Sequence, residues 1–431
     1  MRTPVEAAQY ALNLLKNEKV DEAAISASLS TLNELTAQEN ELNLLRTTHN
    51  TTLSLQVIKN QKRGTLSINS WDDEAIKQAV NDCLLACASS EADEHWALSK
   101  EAIKRKVSDP TPLDLDSMIN RTKELVAQIS KDYPNVHIEN VVTVHKESQS
   151  CYLNTNDVRF DTDSACYDVH LSFLGKRGDK TSGFIYTGTR TKSLDTPFIE
   201  LANFRQELEA AQKLIDAQPM EEKFVGTVLF SPMCFTQMLY SALGNFVSDS
   251  SLIEGISRWK DKLGQKVASE SLTVHFSVSD PRLVQKEVCT PEGFESKDFT
   301  LIKNGVLNSF MLSLYAANKT GHQRALNNGG GLIIPGGDTP YSDVIKNIDK
   351  GILVGYFSGG QPSPSGEFSG VAKNSFLIEN GEIKSPLTET MMSGNLIDAL
   401  QNIVAISKEA VEDGASVVPW IAINGITISG K

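Results

Sequence analysis

The chain opens on a short amphipathic repeat. In PVEAAQYALNLLKN (4–17) apolar residues recur three and four apart, the spacing of one helical face. Thr3 stands as its N-cap, Pro4 takes the first helical position and Glu6 closes a capping box. EAAISASLST and NTTLSLQVIK then alternate apolar and polar residues, as half-buried strands do. The second turns at NQKRG and returns as TLSIN, a hairpin pattern. A helix is expected over 73–88. The segment 89–115 is polar and Pro-bearing, and is expected to be a surface connection. A helix over 115–132 leads into the strands HIENVVTVHKESQSCYLNT, VRFDTDSACYDVHLSFLG and TSGFIYTGTR. A helix over 203–218 places Leu208, Ala211 and Ile215 on one face.

DAQPMEEKFVG (216–226) is polar, carries Pro219 and separates a helix from a strand, so it marks a boundary. We expect an N-terminal domain over 1–220 and a C-terminal domain over 221–431. Beyond the boundary come GTVLFSP, SLTVHFS, DFTLIKNGVLNSFMLS, KGILVGYF, NSFLIENGEI and PWIAINGITISG, all strand-like. Asn304-Gly305 and Asn380-Gly381 are hairpin turns of the strongest kind. Helices are expected only over 232–248 and 395–411, the latter from an Asn395 cap followed by Leu396, Leu400 and Ile403. The fold class is therefore α+β: a mixed helix/sheet domain, then a mainly antiparallel β domain with two helices. Within FTQMLYSALGNFVSD (235–249), Phe235, Leu239, Ala242 and Phe246 form a buried stripe, interrupted by the polar Tyr240, Ser241 and Asn245.

Composition narrows the function. At 431 residues the chain exceeds one ordinary core, and 40% hydrophobic with 22% charged residues is a globular composition. The formal net charge of −13 repels a phosphate backbone. Only KNQKRG (59–64) and KRK (104–106) are locally basic, so direct nucleic-acid binding is not expected. No apolar run has a membrane-spanning length, and the first residues lack a secretory core, which makes the cytoplasm the expected location. Reduced thiols suit the six cysteines there, with Cys83 and Cys87 as buried small side chains. The Asn-x-Ser/Thr triplets at Asn50, Asn120 and Asn318 are then chance matches.

Recognised catalytic patterns are absent. There is no His-Glu-x-x-His, no Gly-x-Ser-x-Gly elbow and no phosphate loop; GLIIPGG (331–337) runs into Asp338 where a lysine is needed. His145-Lys146-Glu147 lacks the Pro-Cys-x-x-Cys of a deaminase. His137, His145, His170 and His275 lie in strand-like segments, where a hydrogen-bonded structural histidine is the simplest reading. NNGGGLIIPGGD (327–338) and SGGQPSPSGEFSG (358–370) are either site-bordering loops or plain connections.

GEFSGVAKNSFLIENGEIKSPLTETMMSGNLIDALQNIV (366–404) resembles the TldD/PmbA family, also called modulators of DNA gyrase. The family's motifs match Gly366-Glu367-Phe368-Ser369, Glu379-Asn380-Gly381-Glu382-Ile383 and Gly394-Asn395-Leu396. PEGFESKDFTLIKNGVLNSFM (291–311) is similar to the family's Leu-Ile-x-Asn-Gly-Val-Leu segment. The resemblance implies two subunit types. TldD-type chains are metalloproteases with His-Glu-x-x-x-His on a helix and a C-terminal cysteine ligand; PmbA-type chains, also called TldE, lack these groups and pair with TldD. That helix falls at 240–245 here, which puts Tyr240, Ser241 and Asn245 at the degenerate metal positions. Cys289 is the last cysteine, so 407–431 offers no thiolate.

The resemblance thus implies a chain with no catalytic residues, metal or cofactor of its own, zinc being expected in the TldD-type partner only. That partner, or a second copy of this chain, would form a dimer acting on small unfolded peptides. Gly366, Glu367, Phe368 and Ser369 would border the groove for an extended peptide. The alternatives are an independent metallopeptidase, with His275 and His322 converging in an unrecognised site, and a peptide-binding protein using exposed strand edges.

Overall fold

The structure, a computed structural model, describes residues 2–360 and 362–430. It begins with helix α1 (Pro4–Asn17), whose Thr3–Glu6 capping box forms as expected. Strands β1 (Glu22–Gln38), β2 (Glu41–Lys59) and β3 (Lys62–Ile68) precede α2 (Asp73–Ser89). Then follow β4 (Lys104–Asp109), α3 (Leu115–Asp132), β5 (Val136–Asn154), β6 (Arg159–Arg177), β7 (Lys180–Thr181), β8 (Ile185–Thr191) and α4 (Phe204–Leu214). These strands make one eight-stranded sheet in the order β3-β2-β1-β5-β6-β4, with β7 and β8 also on β6.

Alternation gives this sheet two unlike faces. Ile25, Ala27, Leu53, Val57, Cys151 and Leu153 turn to α1 and α2, and Cys83 and Cys87 are buried in the same layer. Val141, Val169, Leu171 and Phe173 turn to α3 and α4. The residues between them, among them Ser26, Ser28, Ser54, Ser67, Ser150 and Thr162, form the opposite, hydroxyl-rich face.

The second sheet has twelve strands: β9 (Gln218–Pro219), β10 (Lys223–Phe230), β11 (Val274–Phe276), β12 (Phe299–Lys303), β13 (Val306–Leu307), β14 (Leu332–Ile333), β15 (Lys350–Gly359), β16 (Glu367–Glu379), β17 (Glu382–Thr388), β18 (Thr390–Asn395), β19 (Ile403–Glu412) and β20 (Ser416–Ser429). Strand β18 pairs with both β16 and β20, so β20-β10-β15-β16-β18 closes into a ring. Closure removes the sheet edges there. Pairing is mainly antiparallel, with β10–β15, β14–β20 and β9–β17 parallel. Both Asn-Gly turns form with left-handed backbones, φ 48° and 77° at Asn304-Gly305 and 51° and 74° at Asn380-Gly381.

Three expectations need correction. The 89–115 connection contains β4, which pairs in parallel with β6; its lysines and arginine lie on an edge and hide the strand pattern. The described C-terminal residues hold five helices rather than two: α5 (Pro232–Phe246), α6 (Asp249–Ile253), α7 (Leu314–Thr320), α8 (Tyr341–Lys346) and α9 (Leu396–Gln401). Four of them run seven residues or fewer, too short to show a helical repeat. The expected helix 395–411 is α9 followed by β19. Buried residues at 396, 399, 400, 403, 406 and 407 keep helical spacing because register shifts at Ile403/Ala405 and Ile406/Ala410 break the strand's alternation.

The hydroxyl-rich face meets the second half of the chain, and clamps hold the two together. At one end Trp96 stacks on Tyr315 with ring centroids 3.7 Å apart, and Arg63 lies over Trp96. Lys319 Nζ and Tyr315 Oη donate to Asp93 Oδ2 at 2.6 and 2.8 Å. At the other, the Asp413 carbonyl accepts from Arg190 N at 2.8 Å and Thr189 Oγ1 at 3.2 Å. A Cβ on Gly414 would lie 2.3 Å from Arg190 O, so this turn needs its glycine.

Lys319 beside Asp93 holds its carboxyl well below the usual carboxylate range, helped by His95 and Tyr315. A depressed folded-state pKa adds stability that is complete above the unfolded value of about 4 and is lost as pH falls through the folded one. Asp93→Asn is therefore expected to melt lower at pH 7 and to lose less stability than the parent between pH 4 and pH 2. Thermal melts across that window test it; equal acid sensitivity in both proteins would refute the assignment.

Candidate functional site

Helix α5 starts where β10 leaves the ring. Ser231 caps it, accepting from Cys234 N and donating to Gly355 O at 2.8 Å, and Pro232 follows. The expected stripe is buried: Phe235, Leu239, Ala242 and Phe246, joined by Cys234, Met238 and Leu243. They pack in the core of the second sheet with Phe230, Phe368, Leu396 and Ile423. The other side of α5 is open. Met233 and Tyr240 are 46% and 42% exposed, and a Cβ on Gly244 would meet nothing within 4 Å.

Tyr240, Ser241 and Asn245 all lie on or beside this open side, not in the buried stripe. Each directs its donor at a backbone carbonyl. Tyr240 Oη donates to Gly329 O at 3.4 Å and Ser241 Oγ to Gln237 O at 3.0 Å. Asn245 Nδ2 donates to Ser241 O at 3.0 Å and to Pro362 O at 3.2 Å. Burial of one side of the Tyr240 phenol raises its pKa, and the nearby Asp413 carboxylate adds to the shift. The phenol is therefore neutral at physiological pH. Gln237 donates to Phe357 O at 3.0 Å, while its Oε1 is buried without a partner.

Two glycine-bearing loops flank the helix. In one, buried Asn327 donates to Phe276 O and Lys297 O, and Gly331 (φ 71°) sits where a Cβ would be 2.0 Å from Ser277 O. In the other, Gly366 (φ 93°) packs against Asn395 and Phe246, leaving no room for a side chain. Gln361 of that loop lies outside the described residues. The expected groove residues divide: Gly366 is in the turn, whereas Glu367, Phe368 and Ser369 already belong to β16 and pair with β18. Phe368 is buried; Glu367 and Ser369 are exposed. Between the two halves, beside Met233, lies a cavity of about 440 Å³ lined by Tyr186, Arg190, His170, Asn140 and Asp413. The sequence pattern did not point to it, because its walls come from segments more than two hundred residues apart.

The histidines do not gather. His145 Nε2 lies 2.7 Å from Thr111 O, His275 Nδ1 lies 2.8 Å from Thr300 Oγ1, and His322 stands edge-on to Phe310. Among the described residues no three His, Cys, Asp or Glu side chains are grouped to hold a metal ion, and no helix is long and apolar enough to cross a membrane.

Residues 224–430 match the PmbA/TldA metallopeptidase C-terminal domain. A metalloprotease of Methanocaldococcus jannaschii is 25% identical, over 92% of this chain and 93% of its own length. The metalloprotease PmbA homologue of Haemophilus influenzae is 23% identical, over 92% and 90%. The second half of the chain carries the TldD/PmbA family's C-terminal domain, and the chain is similar to that family's metalloproteases along nine-tenths of its length. The crystal structure of TldE from Thermococcus kodakarensis has the same fold, with a TM-score of 0.84 at 21% identity over 98% of this chain and all of that one. A TldD/PmbA zinc site does not fit here: Tyr240 offers a neutral phenol, and Ser241 and Asn245 a hydroxyl and an amide, none of them a usual zinc donor.

Asn245→Ala removes the side-chain bond that fastens the 362–366 loop to α5. A net contribution of about 1 kcal/mol predicts roughly fivefold faster amide exchange at Ser363 and Gly366 with α5 itself unchanged. Hydrogen-exchange mass spectrometry reads this directly; unchanged exchange in the loop would contradict it.

Proposed function

We propose that this chain is the non-catalytic PmbA/TldE-type subunit of a TldD-type metalloprotease, and that the pair cleaves or matures small unfolded peptides. The observation that carries this reading is the open side of α5. Met233 on that side lines a cavity between the two halves of the chain, yet the side's polar side chains are a phenol, a hydroxyl and an amide bonded to backbone carbonyls. None of these three side chains can act as the general base of hydrolysis, the role a glutamate would fill at position 241. Exposed Tyr186 and Met233 line the cavity and Phe184 lies against Tyr186, which supplies apolar surface for a peptide or a partner subunit. Zinc, in this reading, resides in the TldD-type subunit alone.

Mixing the purified chain with a TldD-type subunit from the same source tests the proposal. Co-elution as a heterodimer is expected, with peptide cleavage by the pair and neither turnover nor stoichiometric zinc in this chain alone. Zinc-dependent turnover by the isolated chain would establish an independent metallopeptidase instead. A stable homodimer indifferent to the TldD-type subunit would likewise remove the proposal.

A further inference from the structure

The hydroxyl-rich sheet face borders a second cavity, separated from α5 by the loop that carries Asn328 and Gly329. It measures about 670 Å³, a size that accommodates a small ligand or a short peptide end. One wall is the sheet: the hydroxyls of Ser54 and Ser67, 2.8 Å apart across β2 and β3, with Ser150 and Thr162. The other wall is the segment 287–291 with Asn328.

Its electrostatics are one-sided. Glu287 lines the cavity, half-buried, and no lysine, arginine or histidine does. Both Glu287 oxygens accept from Asn328 N at 3.0 Å, and Ser296 Oγ donates to one of them, so the carboxyl group is fixed in place without a cation beside it. Burial pushes its pKa up, while the Ser296 and Asn328 bonds hold it back. The neighbouring thiol adds no charge of its own, because burial raises Cys289 to about 12. Tyr152, nine-tenths buried, also lines the space, with its hydroxyl turned against Gly293. A fixed carboxylate in a partly desolvated, acceptor-rich cavity attracts a cation that can also donate several hydrogen bonds.

We propose that this cavity binds a primary ammonium group, with Glu287 as its charge partner and the hydroxyls of the sheet face receiving the polar chain attached to it. Two sources share that chemistry, the amino terminus of a peptide and a free alkyl amine. A guanidinium fits less well, since its planar fork needs a bidentate carboxylate and both Glu287 oxygens are already engaged. No residue of α5 lines the site, and it does not depend on the partner-subunit reading.

Calorimetric titration of the intact chain alone tests it, so the result is independent of any TldD-type subunit. The probes are Ala-Ser-Ala-Ala with a free amino terminus, its N-acetylated form, and cadaverine. The free peptide or cadaverine is expected to bind, and the tighter of the two names the source. Acetylation should weaken the peptide roughly tenfold or more, the scale of a hydrogen bond to a charged group. Glu287→Gln should remove the binding. Ser67→Leu, which fills the cavity from the opposite wall, should do the same without touching the carboxyl group. Equal affinity for free and acetylated peptide, no binding by any probe, or undiminished binding in a folded Glu287→Gln protein would overturn the proposal.

Discussion

The whole arrangement depends on how a sheet face made of hydroxyls is held against a second layer. Serine and threonine side chains keep much of their hydration and gain little from apolar burial, so this face cannot be sealed as a core is. The joint combines clamps at its ends with one apolar patch, where Tyr152 and Phe160 pack with Val288 and Cys289. Trp96, Tyr315, Asp93 and Lys319 bind one end through stacking and charge. The turn at Asp413-Gly414 binds the other through backbone hydrogen bonds to β8. Phe376 of β16 adds an apolar contact by entering the cluster beneath α3 and α4. Space is left between the clamps, and the two cavities beside Met233 and Glu287 open onto this face. The cavities follow from the polarity of the sheet and are not failures of packing.

That constraint also decides what α5 presents. The ring of five strands buries the Phe235–Phe246 stripe, and with it the helix is fixed in rotation about its axis. Whatever occupies the opposite side must face the space between the halves. Polar groups there are costly only when unpaired, and Tyr240, Ser241 and Asn245 each find a carbonyl. Gln237 Oε1 is the exception, a buried acceptor next to the open side with no donor.

The long elements were legible because their signals are local. Thr3, Pro4 and Glu6 mark the start of α1, and the two Asn-Gly pairs adopt the left-handed turns their chemistry favours. The α5 stripe was legible for the same reason. Where tertiary pairing overrides local pattern, the reading failed. Bulges gave β19 a helical spacing, a basic edge concealed β4, and helices of a turn or two left no repeat to detect. The site was half legible. Its helix could be placed from the family resemblance, but the cavity beside it joins residues 140, 186–190, 233 and 413, and no single-chain pattern links them. Glu287 was invisible for a different reason: a lone glutamate in VQKEVCT is unremarkable until a sheet face is folded over it.

The geometry of α5 carries one more consequence. Tyr240 and Asn245 are five residues apart, which in a regular helix turns their side chains about 140° from each other. They accordingly reach different loops, Tyr240 to Gly329 and Asn245 to Pro362. The helix runs unbroken from Pro232 to Phe246. Metal ligation fails here in the side chains, a phenol and an amide, and 407–431 offers no thiolate to complete a site. Tyr240 and Asn245 serve as struts, holding the glycine-bearing loops on either side of the helix.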